Sequence, residues 1–145
     1  MRTEPILIEG YASLFGEEDL AGDVVRAGAF ARSLARADIL APMLLQHENG
    51  KVAGRWLRLR EDGCGLYVRG LVEPVRPSGK LAVRSIAAKA LDGLSIGFVA
   101  HKWSPRIGGG RELLEIDLKE ISLVATPMAP RARFTVMNEG IRAVA

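Results

Sequence analysis

Asp62-Gly63 lies between two runs in which apolar and polar residues alternate, Lys51 to Arg60 and Leu66 to Glu73, and no other feature constrains the fold as strongly. Alternation with a period of two is the pattern of a strand with one buried face, and Asp-Gly is a strong hairpin signal. The two runs therefore predict an antiparallel pair joined by Glu61-Asp62-Gly63-Cys64-Gly65. Further strand-like stretches are Ile6 to Ala12, Met43 to His47, Gly93 to Trp103, Glu112 to Val124 and Arg133 to Met137. Helical periodicity appears twice. Val24, Val25, Phe30, Leu34 and Ile39 recur near i, i+3/i+4 in a run closed by Pro42, which predicts one amphipathic helix. Leu81, Ile86, Ala87, Ala90 and Leu91 form a second apolar stripe after Pro77-Ser78-Gly79, with Ser78 as the expected cap. No β-α-β unit repeats. The expected fold class is α+β: a mainly antiparallel β-barrel or sheet of about seven strands decorated by two helices.

At 145 residues, with neither internal repeats nor a Pro/Gly/Ser-rich linker, the chain is expected to form one domain over residues 1–145. The single cysteine, Cys64, excludes an internal disulfide framework and any multi-cysteine metal site, and nothing in the sequence calls for a cofactor. No apolar run approaches the ~18 residues of a membrane span, so the expectation is a soluble, intracellular chain without a membrane partner. The net charge of +3 is small, and its densest basic group, Arg55 to Arg60, alternates with leucines. That is the pattern of a strand with a solvated outer face rather than of a phosphate-binding stripe, so nucleic acid is not expected as a partner.

Gly93-Leu94-Ser95-Ile96-Gly97 fits G-x-S-x-G, but the apolar extended run after Ser95 is not the strand-turn-helix context of a nucleophile elbow. Two readings of Ser95 remain: a small residue that lets a neighbouring element pack closely, or a nucleophile beside glycines that clear space for a substrate backbone. A general base must be His47 or His101. On one strand, His101 would lie six residues from Ser95, roughly 20 Å away and out of hydrogen-bond reach. His47, at the end of an apolar strand and before Glu48-Asn49-Gly50, is either a base held rigidly within reach or a capping residue. In Glu112 to Val124, Leu114, Ile116 and Leu118 alternate with Glu115, Asp117 and Lys119, so the even face is expected to be the core face and Glu120 falls on it. A carboxylate there needs a partner, either His47 or an arginine. For Ser95 and Glu120 to share a face of adjacent antiparallel strands, the residue opposite Ser95 must be even-numbered.

Taken together, these segments resemble the prohead maturation proteases of tailed bacteriophages, a serine-protease family that shares its fold with the herpesvirus protease assemblin. The resemblance rests on Glu9-Gly10-Tyr11-Ala12-Ser13-Leu14-Phe15, Gly28-Ala29-Phe30 leading into Ser33-Leu34, and Leu45-Gln46-His47-Glu48. It continues with Gly93-Leu94-Ser95-Ile96-Gly97-Phe98 and the stretch from Glu120 to Pro130. It implies an assemblin-like fold with Ser95 as nucleophile, His47 as general base and Glu120 as the third member, where the herpesvirus enzymes use a second histidine. Oxyanion donors are then expected from Met128, Ala129 or Arg131, since Pro127 and Pro130 have no N–H to offer. The implied substrates are scaffold or capsid-protein delta segments and the protease itself, cleaved inside assembling procapsids in the cytoplasm. A homodimer is implied by the herpesvirus relatives, as is the absence of a fused scaffold domain by the short distance from the last motif to Ala145. A self-cleaved tail near Asn138-Glu139-Gly140 and the kind of particle, whether phage, prophage or gene transfer agent, stay open. The rival reading is a non-catalytic β-rich capsid-assembly or nucleic-acid-binding module in which His47 and Ser95 only pack.

Overall fold

The computed structural model describes residues 4–36 and 41–137, and in it eight strands form one sheet accompanied by two helices. In chain order they are β1 (Ile6–Leu14), β2 (Val24–Val25), α1 (Ala31–Leu34), β3 (Pro42–Leu45), β4 (Val52–Glu61) and β5 (Gly65–Val72). There follow α2 (Pro77–Ala87), β6 (Gly93–Pro105), β7 (Arg111–Val124) and β8 (Phe134–Val136). The hairpin at Asp62-Gly63 forms: β4 and β5 pair antiparallel from Gly54 opposite Val72 to Glu61 opposite Leu66. Its loop is held by the Asp62 carboxylate, which accepts the N–H groups of Cys64 (2.8 Å) and Gly65 (3.1 Å). Gly63 itself does not enter the left-handed region. The Tyr11 hydroxyl donates to the same carboxylate at 2.6 Å, which holds Asp62 below the usual carboxylate range and pushes the Tyr11 hydroxyl up to about 12.

Several expectations are corrected. Of the barrel or sheet expected, the strands form a sheet that does not close, and it is mixed: β2 and β3 both run parallel to β7, while the other paired strands are antiparallel as expected. The helix expected from Val24 to Ile39 is reduced to the four residues of α1, and residues 37–40 lie outside the described part. Val24 and Val25 are instead drawn into pairing with Glu112 and Leu113, and Gly28, at φ +92°, breaks any helix that would run through them. Periodicity alone could not separate a β-pairing Val-Val from two positions of a helix. Finally, Ser78 is not the cap of α2. Arg76 is, with Pro77 at the first turn, while the Ser78 hydroxyl donates to the Val52 carbonyl at 2.5 Å.

The core follows the strand alternation where the strands are regular. Leu66, Val68 and Val72 of β5 and Ile6 and Ile8 of β1 are buried, as are Met43, Trp56, Leu94, Ile121 and Leu123. Ala82, Val83 and Ile86 of α2 are buried as well. Each large side chain removed from water in this way contributes about 1.5–3 kcal/mol. In β7 the alternation is interrupted, because pairing with β6 steps from Gly97 opposite Glu120 to Phe98 opposite Leu118, and from Lys102 opposite Glu115 to Trp103 opposite Leu113. Lys119 and Leu114 are the extra residues of two bulges. Leu114 is therefore exposed while Leu113 and Ile116 are fully buried. The expectation that the even face of Glu112 to Val124 faces the core fails for the same reason: beyond Lys119 the core residues are Ile121 and Leu123, and Glu120 and Ser122 take the opposite face.

At the start of β7, Arg111 locks β2 to the sheet. Its main-chain N–H (3.1 Å), Nε (3.2 Å) and Nη2 (2.8 Å) all reach the buried carboxylate of Asp23. The guanidinium holds Asp23 below the usual carboxylate range. A carboxylate depressed on folding adds stability that is present above its unfolded value, about 4, and is lost as pH falls through the folded value. Replacing Arg111 by Met is expected to cost about 1–3 kcal/mol at pH 7, less than for a fully buried pair because the guanidinium is partly exposed. The deficit should shrink as pH falls below about 4, where Asp23 of the variant and of the unfolded chain takes up a proton before that of the folded wild type. Urea unfolding across that range measures this, and a deficit independent of pH would contradict it.

Candidate active site

Three neighbouring strands carry the residues in question. β7 has β6 along one edge and β3 on the other, opposite Ile121, Ser122 and Leu123. Ser95 of β6 stands directly across from Ser122, and Gly97 across from Glu120, so the even-numbered register that shared faces require is met. Directly opposed residues of this kind have Cβ atoms about 4.5–5.5 Å apart. The expected strand from Met43 to His47 stops at Leu45, and Gln46 and His47 turn away in the left-handed region at φ +54° and +61°. Two consecutive non-glycine residues there cost on the order of 1–3 kcal/mol each, so the surroundings must impose the shape. They do. Gln46 N–H donates to the Leu123 carbonyl (2.9 Å), His47 N–H to the Ser122 hydroxyl (3.1 Å) and Ala125 N–H to the Gln46 side chain (3.3 Å).

This turn sets the His47 imidazole against Glu120, with Nδ1 bonded to Oε1. The other carboxylate oxygen accepts the Ser122 hydroxyl at 2.6 Å. Of the two partners the sequence left open for Glu120, histidine and not arginine takes the place. The Glu120 side chain is 12% exposed and the imidazole 44%, so a nearly buried acid holds a base that solvent can still reach. An ionised carboxylate accepts only, which makes Nδ1 the protonated nitrogen of the neutral ring and leaves Nε2 with its lone pair.

Gly97 explains the second glycine of G-L-S-I-G. A Cβ there would lie 2.6 Å from Glu120 Oε1 and 2.7 Å from its Cγ. The glycine thus makes room for the carboxylate side chain, not for a neighbouring backbone. Ser95 itself is 5% exposed and lines a cleft with Ser13, Val25, Leu94, Met128 and Ala129. Of the three expected oxyanion donors, Met128 and Ala129 are in this cleft, whereas Arg131 lines a separate groove with Tyr11 and Tyr67. His101 is far from the site in register and has Glu115 3.5 Å from its Nε2. Reasoning from the sequence missed Ser122 and the role of Gly97. Ser122 carries the same parity as Glu120, and that was the available signal.

Comparison with known proteins gives a consistent family. The profile of the "Caudovirus prohead serine protease" family matches residues 2–145. The prohead protease of Enterobacteria phage HK97 is 33% identical over 143 residues, 95% of this chain, and the chain spans 64% of that protein's length. Among solved structures, the bacteriophage T4 capsid assembly protease superposes with a TM-score of 0.66 at 16% identity, over 81% of this chain and 80% of that one. The KSHV protease bound to a hexapeptide phosphonate inhibitor gives 0.63 at 15% identity, over 97% of this chain and 68% of that one. The varicella-zoster virus protease gives 0.58 at 14%, over 92% and 64%. At these identities the structural matches establish the assemblin-like fold alone.

The Gly97 contact yields a direct test. In Gly97→Ala the new methyl group should drive the Glu120 carboxylate off Nδ1 without unfolding the sheet. The ¹⁵N shifts of His47 should then move from the Nδ1–H tautomer in the wild type toward Nε2–H in the variant. An unchanged tautomer in a folded Gly97→Ala protein would contradict the contact.

Proposed function

Because the chain belongs to the caudovirus prohead serine protease family, we propose that it is a serine endopeptidase of procapsid maturation with Ser95 as nucleophile, His47 as general base and Glu120 as the orienting acid. The observation that carries this reading is the bond from His47 Nδ1 to Glu120 in a register that puts Ser95 across from Ser122, one step away on the neighbouring strand. With Nδ1–H committed to the carboxylate, Nε2 is the nitrogen available to the serine hydroxyl. As Oγ attacks the scissile carbonyl carbon, Nε2 takes the hydroxyl proton, and the carboxylate stabilises the imidazolium that forms. The same proton passes to the departing amine, and the acyl-enzyme is released by water through the reverse sequence. Serving the developing oxyanion falls to the Met128 or Ala129 N–H, which share the cleft with Ser95.

The substrates fitting this reading are capsid or scaffold proteins of the assembling particle, including capsid-protein delta segments, and the protease itself. Asn138-Glu139-Gly140, near which a self-cleaved tail was left open, lies outside the described residues. No helix among the described residues is long and apolar enough to cross a membrane.

Co-expression with the cognate capsid protein, read by mass spectrometry, tests the assignment. Ser95→Ala should abolish processing while the protein stays folded. Glu120→Gln should slow it by roughly 10²–10⁴-fold, less than the serine variant, as loss of an orienting carboxylate does. Normal processing by Ser95→Ala would end the assignment, and an unaffected Glu120→Gln would reduce Glu120 to a structural ion pair.

A further inference from the structure

Ser122 is fully buried, and its hydroxyl has two partners at once. It donates to Glu120 Oε2 at 2.6 Å and accepts the main-chain N–H of His47 at 3.1 Å. We infer that Ser122 is a positioning residue for the His47–Glu120 pair, tying the acid and the backbone of the base to a single point on β7.

A carboxylate has about four lone-pair sites and, without a second donor, can rotate about its last bond. In this site the His47 bond occupies one oxygen and Ser122 occupies the other, so the plane of the carboxylate is fixed by two contacts on different elements. The second contact works on the base. His47 sits in a backbone conformation that L-residues rarely adopt, and its N–H is one of the bonds that hold the turn there. Loss of the hydroxyl would therefore loosen the acid and the base in one step. Ser122 cannot touch substrate, because no part of it reaches the surface. Any effect it has on cleavage must pass through the groups it holds, and a displacement near 1 Å at such a site costs about 10²-fold in rate.

This inference rests on the triad reading above, and the experiment separates the two. The probe is a fluorogenic peptide copied from the capsid-protein junction that the wild-type chain cleaves, assayed with the full chain. Ser122→Ala is expected to lower kcat about 10- to 100-fold with KM unchanged and with thermal unfolding still cooperative. In a Glu120→Gln background the same substitution should cost clearly less than in the wild type, the remainder being what the bond to the His47 N–H carries, since residues acting as one unit are not additive. Ser122→Cys, close in size and with a weak donor, should fall between the wild type and Ser122→Ala, and it stands in if the alanine variant does not fold. Wild-type kcat in Ser122→Ala, with Ser95→Ala inactive, would overturn the inference and leave the triad intact. An equal loss with or without Glu120, or a loss confined to KM, would overturn it too. Cleavage by Ser95→Ala would remove the triad reading itself.

Discussion

The Glu120 carboxylate is the constraint on which the rest of the site depends. An ionised group this little exposed is tolerated only where each oxygen has a partner, since an unpaired one costs several kcal/mol. Its neighbourhood is arranged accordingly: an imidazole on one oxygen, a hydroxyl on the other, and a glycine across the strand pair where any side chain would collide with it. They come from β6, from β7 and from the turn after β3, and His47 lies 73 residues before Glu120. They bind the chemistry to the register, because a shift of one residue between β6 and β7 would turn Ser95 and Glu120 to opposite faces.

The mixed topology makes this meeting achievable. With β3 parallel to β7, the chain leaves β3 beside Leu123 and turns over the end of the pair, so that His47 reaches back to Glu120 from the far edge while Ser95 arrives on the near one. The left-handed turn at Gln46 and His47 is the strained part of this arrangement, and its hydrogen bonds go to β7 and to the residue after it. Backbone strain is thus offset by the same strand that carries the acid.

Much of this was legible in the sequence, and the failures have physical causes. The Asp62-Gly63 hairpin and the regular alternation of Leu66 to Glu73 were read correctly because both are local. The pairing of His47 with Glu120 was one of two options the sequence left open, and the residue opposite Ser95 has the parity that was required. The direction of Glu120 was misjudged, because the bulge at Lys119 exchanges the two faces of β7 and a bulge leaves no mark on composition. Val24 and Val25 were read as helix because only a partner from residues 112–113, far along the chain, makes them a strand. Parallel pairing of β2 and β3 with β7 is a long-range outcome of the same kind. Five separated motifs carried the family resemblance, and those motifs cover Ser95, His47 and Glu120 but gave no role to Ser122.

Reaction with a serine-directed peptide phosphonate, followed by peptide mass spectrometry, tests the central claim most directly. The account predicts one adduct per chain, on Ser95, and none when His47 is replaced by alanine. Modification of another residue, or equal labelling of Ser95 with and without the imidazole, would contradict it.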